Sequence, residues 1–129
     1  MKKLNVAIIG QGRSGRDIHG TYYRSEQNVY FNVRYVIDFD ERRRNRAKDL
    51  YPGCDVFADY KELFDKTDVD LVVNASYSEM HFGITKDLLM HGKNVMTEKP
   101  FARNRFECEE LIKTAYDNNV KLIVFHNTQ

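Results

Sequence analysis

Near the amino end, Gly10-Gln11-Gly12-Arg13-Ser14-Gly15 spells G-x-G-x-x-G. An apolar run, Leu4 to Ile9, leads into it, and helix-compatible sequence follows. In that setting each glycine has a physical task. Gly10 allows a tight turn out of the strand. Gly12 lets the backbone approach a pyrophosphate, and Gly15 lets the next helix pack closely on the sheet. The helix N-terminus then presents free N–H groups to the phosphates. Isolated glycine strings are common in loops, so the strand before and the helix after carry the weight of this reading.

Two further positions fit the same chemistry. Asp38 ends the second apolar run, 23 residues after Gly15. A carboxylate there accepts hydrogen bonds from an adenosine ribose, which favours NAD and repels the extra phosphate of NADP. The alternative is that Asp38 only caps the following helix. Five basic residues, Arg42, Arg43, Arg44, Arg46 and Lys48, come next. A solvated helix face explains them first, and a contact to a 2′-phosphate is the other reading, so NADP stays open. Downstream, Glu98-Lys99-Pro100 closes a fifth apolar run. Pro100 cannot continue a central strand and pushes Lys99 into extended geometry. Lys99 therefore leaves the carboxyl end of a strand, where it could act on a hydroxyl or carbonyl oxygen. Spacing alone favours a surface ion pair between Lys99 and Glu98.

The remaining candidates are weaker. His81 falls in the first turn of a helix whose other inward residues, Ile84 and Leu88, are apolar, so a core histidine is the first reading. His91 sits where it would meet the C-terminal dipole of the same helix. No Ser/His/Asp triad, H-E-x-x-H pair or metal-ligand spacing is present in the sequence. Cys54 and Cys108 do not form a C-x-x-C pair, which points to a reduced, cytoplasmic protein without a metal site. Asn74-Ala75-Ser76 matches a glycosylation acceptor by chance, at the end of a buried strand.

Strand and helix signals alternate along the chain. Strands are expected at Leu4–Ile9, Val33–Ile37, Cys54–Phe57, Val69–Val73, Asn94–Thr97 and Val120–Phe125. Helices are expected over 16–24, 40–50, 59–65, 78–91 and from Asn104 to Asn118-Asn119. The last should bury Cys108, Leu111, Ile112 and Ala115, spaced i, i+3, i+4, i+7. Gly92 is the expected stop of the helix before it. Near-continuous apolar strands separated by helices imply a parallel sheet covered on both faces. The expected fold is α/β, a doubly wound parallel sheet of order 3-2-1-4-5-6, with residues 1–129 forming one dinucleotide-binding domain.

Bulk properties agree with this class. The 129 residues suffice for one core. They are 42% hydrophobic and 30% charged, with a net charge of +1. That balance makes no electrostatic case for nucleic acid or an anionic membrane. No apolar run approaches the ~20 residues of a membrane-spanning helix.

Together, the Gly10–Gly15 string, Asp38, Val69–Ser76, His81, Gly92-Lys93-Asn94-Val95, Glu98-Lys99-Pro100 and Phe125-His126-Asn127 resemble the N-terminal half of a Gfo/Idh/MocA-type oxidoreductase, the glucose–fructose oxidoreductase and inositol dehydrogenase family. The G-K-x-V…E-K-P block is the specific part, and the resemblance covers essentially the whole chain. It implies that Gly10, Gly12, Arg13, Ser14, Gly15 and Asp38 hold the cofactor's phosphates and adenosine. It implies that Ala75, Ser76, Tyr77, His81, Glu98 and Lys99 approach its other half, with Lys99 as the catalytic residue. Tyr77-Ser78 replace the Pro-Asn that family members often carry. After His126-Asn127 the family's usual arginines and aromatic are replaced by Thr128-Gln129.

The resemblance further implies an NAD-dependent (or NADP-dependent) enzyme that moves a hydride to or from a sugar, inositol or similar polyol. It implies a homo-oligomer whose C-terminal α+β domain is missing from these 129 residues, so the fragment alone is expected to be inactive. A non-catalytic dinucleotide sensor is the alternative. A sensor needs the glycine loop and Asp38 but has no chemical need for Lys99.

Overall fold

The structure is a computed structural model that describes residues 3–10, 31–76, 78–98 and 105–125. The helix expected over 16–24 and the Asn104 cap lie outside the described residues, as do Gly12, Arg13, Ser14, Gly15, Tyr77 and Lys99.

Strand β1 (Leu4–Ile9) lies at the centre of a six-stranded sheet. On one side it pairs with β2 (Phe31–Ile37), which pairs with β3 (Asp55–Phe57). On the other it pairs with β4 (Leu71–Asn74), followed by β5 (Val95–Glu98) and β6 (Leu122–Phe125). All five pairings are parallel and the order is β3-β2-β1-β4-β5-β6. This is the expected Rossmann order. Chain direction reverses its walk across the sheet between β1 and β4, which makes that point the crevice for a ligand.

The described helices are α1 (Glu41–Leu50), α2 (Ser78–Met90) and α3 (Arg105–Asp117), with a 3₁₀ turn at Tyr60–Leu63. Successive β1 side chains point to opposite faces, and two separate cores result. Val6 and Ile8 join Val33, Val36, Val73 and α1's Ala47 on one face. Ala7 and Ile9 join Ile37, Leu63, Val72, α2's Ile84 and Leu88 and α3's Leu111 on the other. Both faces are therefore covered, as continuous apolar strands require.

Turn chemistry sets the element ends. Gly92 adopts φ +78° and its amide donates to the Leu89 carbonyl, the left-handed stop that ends α2. Asn119, at φ +54°, ends α3 in the same way. The His91 ring nitrogen Nδ1 lies 2.7 Å from the Asp87 carbonyl oxygen, which places that ring at the helix's C-terminal end as expected.

Several expectations are corrected. Ile112 is 56% exposed, so α3 buries only Leu111 and Ala115 with Cys108 half-buried. A helix over the sheet's outer strands has one neighbouring layer and buries a narrow stripe. The 59–65 segment forms a short 3₁₀ turn rather than an α-helix. β4 starts two residues later than expected and runs one further, through Asn74. In β2, Val33 pairs with Val6 and Tyr35 with Ala7, so Arg34 is bulged out of the ladder. Freed from it, Arg34 reaches Asp55 at 2.7 Å and Asp68 at 3.3 Å.

Candidate functional site

The described part of the site is assembled where β1, β2, β4 and β5 end. Gly10 is its centre. It adopts φ +90°, a region open to glycine and costly for other residues. Its amide donates to the Ile37 carbonyl of β2 at 2.7 Å. On its other side, the Ala75 amide donates to the Ile9 carbonyl at 2.9 Å. Gly10 thus lies between the end of β2 and the turn after β4. A Cβ at Gly10 would stand 2.7 Å from the Ala75 carbonyl oxygen and 3.3 Å from the Ser76 nitrogen. The missing side chain lets the β1 and β4 ends close on each other, a reason for glycine here that a tight turn alone does not supply.

Asp38 follows Ile37, beside Gly10. It is 8% exposed. Its Oδ1 accepts from the Asp40 amide at 2.8 Å, and its Oδ2 lies 3.8 Å from an Arg43 nitrogen. The helix-capping role expected as the alternative belongs to Asp40, whose side chain accepts from the Arg42 amide at 2.8 Å. That bond holds the Asp40 carboxyl below the usual range. Arg44 donates to the carbonyls of Asp38 and Phe39 at 2.7 and 2.9 Å. The basic cluster therefore divides. Arg42, Arg46 and Lys48 are exposed, as a solvated face requires, while Arg43 and Arg44 turn back onto the Asp38 segment. Phe39 is left outward at the same edge, 69% exposed.

Across the crevice, Ala75 and Ser76 form the turn between β4 and α2. The organiser of that turn is Asn74, which sequence reasoning did not select. Asn74 is fully buried. Its Oδ1 accepts from the Ser76 amide at 3.2 Å and the Ser76 hydroxyl at 2.6 Å. Its Nδ2 donates to Thr85 Oγ1 at 2.9 Å and the His81 carbonyl at 3.4 Å. Thr97 of β5 reaches the Asn74 carbonyl at 3.5 Å. A polar residue ending a run of valines was the available signal, since a buried amide needs partners. With its carboxamide so engaged and buried, Asn74 offers no site for a glycan.

His81 is buried on the same side of α2 as Ile84 and Leu88. Glu98 ends β5 opposite Phe125 of β6, so the step to Lys99 begins at the same carboxyl edge. No helix among the described residues is long and apolar enough to cross a membrane.

This cradle fits a dinucleotide. Backbone closes on backbone at Gly10, a buried carboxylate stands on the β2 side, and a polar turn stands on the β4 side. Comparison with known proteins agrees. Residues 4–126 match the model of the Gfo/Idh/MocA family, described as an oxidoreductase family with an NAD-binding Rossmann fold. The chain is 29% identical to 2,7-anhydro-N-acetylneuraminate hydratase of Mediterraneibacter gnavus, over 98% of this chain and 32% of that protein. It is 27% identical to the scyllo-inositol 2-dehydrogenase (NADP(+)) IolW of Bacillus subtilis, over 96% of this chain and 33% of that protein. GenD2 from gentamicin A biosynthesis, solved in complex with NAD, superposes with a TM-score of 0.86 at 26% identity, over 96% of this chain and 34% of GenD2. The chain thus spans about a third of the length of these relatives. Fold, crevice and family match together lead to one conclusion: the chain belongs to the Gfo/Idh/MocA oxidoreductase family and corresponds to its NAD(P)-binding Rossmann domain.

Proposed function

We propose that this chain binds NAD(H) across the β1–β4 crevice and serves an oxidoreductase acting on a sugar, inositol or similar polyol. The observation that carries the reading is Gly10, held without a side chain between Asp38 and the Ala75-Ser76 turn. Gly10, Gly12, Arg13, Ser14 and Gly15 would hold the pyrophosphate, and Asp38 the adenosine ribose. The nicotinamide supplies the hydride chemistry when bound, and the chain supplies position and electrostatics. Ala75, Ser76, Tyr77, His81 and Glu98 would serve the nicotinamide side. Lys99, leaving β5, would orient the reacting oxygen and exchange its proton. The second wall of a substrate cleft and the residues that select the polyol would come from a further domain, and the whole protein would form a homo-oligomer.

Arg43 favours a second reading of cofactor choice. Its guanidinium faces Asp38, so it offsets the carboxylate's repulsion of a 2′-phosphate and keeps NADP(H) within reach. Titrating the chain with NADH and NADPH, followed by nicotinamide fluorescence, tests both. Tighter NADH binding supports Asp38 as the ribose acceptor. Equal or tighter NADPH binding assigns the site to Arg43. Binding of neither cofactor removes the proposal.

A further inference from the structure

Asn74 occupies a fully buried strand position of the kind aliphatic residues usually fill. Val72 and Val73 before it are fully buried, and so is Asn74 itself. A buried carboxamide is tolerated only when its donors and acceptors are used. Here the orientation of the amide follows from its neighbours. The His81 carbonyl only accepts, so it must face Nδ2. The Ser76 amide only donates, so it must face Oδ1. The Ser76 hydroxyl lies 2.6 Å from that same Oδ1. Oδ1 has no proton, so the hydroxyl must donate to it. Ser76 has one hydroxyl proton, and Asn74 holds it.

We propose that Asn74 converts Ser76 into an acceptor-only hydroxyl at the mouth of the crevice, which reads an O–H or N–H donor on the nicotinamide half of the dinucleotide. The inference rests on the proposed cofactor reading and adds a polarity to one contact of that site. Three observations select the ligand group. Ser76 follows β4, on the opposite side of β1 from Asp38, so the adenosine half lies away from it. Phosphate oxygens at neutral pH carry no proton, so an oxygen that only accepts gains nothing from them. The donors left on the far half are the ribose hydroxyls and the carboxamide N–H. Asn74 is thus a positioning residue, and it acts through Ser76. The same amide ties the turn to α2 through Thr85 and His81, and its main-chain oxygen meets Thr97, two residues before Lys99. The turn that carries Ser76 is consequently held against the helix and the strand that complete the site.

The test is calorimetric titration of wild type, Ser76→Ala, Ser76→Thr and Asn74→Ser with NAD, ADP-ribose, ADP and 3-acetylpyridine adenine dinucleotide, beside thermal melts. Ser76→Ala should weaken NAD binding about three- to tenfold, the range for one neutral hydrogen bond. ADP, which lacks the nicotinamide half, should bind within twofold of wild type. Ser76→Thr keeps the hydroxyl and should bind NAD like wild type. Asn74→Ser leaves the Ser76 acceptor in place but frees its proton and its orientation, so it should show a smaller NAD-selective loss than Ser76→Ala. If the penalty disappears with the acetylpyridine analogue, which has no carboxamide N–H, the donor is the carboxamide. If it persists there and with ADP-ribose, the donor is a ribose hydroxyl. Equal loss of ADP and NAD in Ser76→Ala would reduce Ser76 to a structural part of the turn and overturn the proposal, as would no loss at all. Failure of the wild type to bind either NAD or ADP would instead overturn the cofactor reading on which it stands.

Discussion

Gly10 and Ala75 meet across the point where the sheet reverses its order: a Cβ on Gly10 would lie 2.7 Å from the Ala75 carbonyl oxygen. Two costs therefore converge on Gly10→Ala. The backbone is at φ +90°, a strain of about 1–3 kcal/mol for a residue with a side chain. The methyl also meets backbone, which cannot rotate away. Gly10→Ala should lower the Tm and, at temperatures where it stays folded, weaken NAD binding by prying the β1 and β4 ends apart. A variant with wild-type Tm and affinity would show that the close approach is dispensable.

Asp38 and Arg43 make an opposed pair for cofactor choice. Asp38→Ala removes both the ribose acceptor and the repulsion of a 2′-phosphate, so NAD should bind more weakly and NADP more tightly. Arg43→Ala leaves Asp38 with less compensating charge, so the NAD preference should widen. Kd values for both cofactors in the two variants check the pair. A parallel change for both cofactors in Asp38→Ala would count against a ribose role.

Lys99 is best tested in a protein that carries the substrate domain. If it acts on the reacting oxygen, Lys99→Ala should lower kcat by ~10²–10⁴-fold with little change in cofactor affinity. Lys99→Arg should restore little, because a guanidinium is bulkier and keeps its proton. A surface ion pair with Glu98 predicts the reverse: a stability loss of ~0–1 kcal/mol and near-normal turnover. Wild-type kcat in Lys99→Ala would end the catalytic claim for Lys99.

The 129-residue chain by itself should bind the dinucleotide and turn over no polyol. Its relatives are about three times as long, and positioning a substrate against the cofactor is a large share of catalysis. Cofactor binding without NADH production from inositols or sugars is the expected result. Steady oxidation by the isolated chain would show that the cleft is already complete.

Asp68 should shape the acid limb of stability. Its carboxylate accepts from the Tyr35 hydroxyl at 2.8 Å, which holds its pKa below the ordinary value. The folded state therefore binds this proton less readily than the unfolded state. The stabilisation is present above about pH 4 and is lost as pH falls through the lowered folded value. Asp68→Asn should flatten the fall in Tm between about pH 5 and pH 2. The effect is modest because the side chain is 44% exposed and solvent screens it. An unchanged acid limb would leave the loss to Asp40 and the other carboxylates.

The sheet order was legible from local pattern. Short apolar strands alternating with helices allow few parallel sheets once crossovers must be right-handed. Gly10, Gly92 and the Asn118-Asn119 stop were legible because backbone conformation is a property of the residue itself. Asp38 was found by its distance from the glycine string, yet its burial and its pairing with Arg43 were not, because they depend on how α1 folds back over the end of β2.

Asn74 marks the boundary most clearly. In sequence it is one polar residue after two valines. Its four side-chain hydrogen bonds come from the following turn and from a helix seven and eleven residues away. Ile112 shows the same limit from the other side: helical periodicity placed it with Leu111 and Ala115, but only the sheet beneath α3 decides how wide a stripe is buried. Composition and period set which faces are apolar and where the chain turns. Which side chains meet, and which proton each one holds, is decided only when distant segments are packed together.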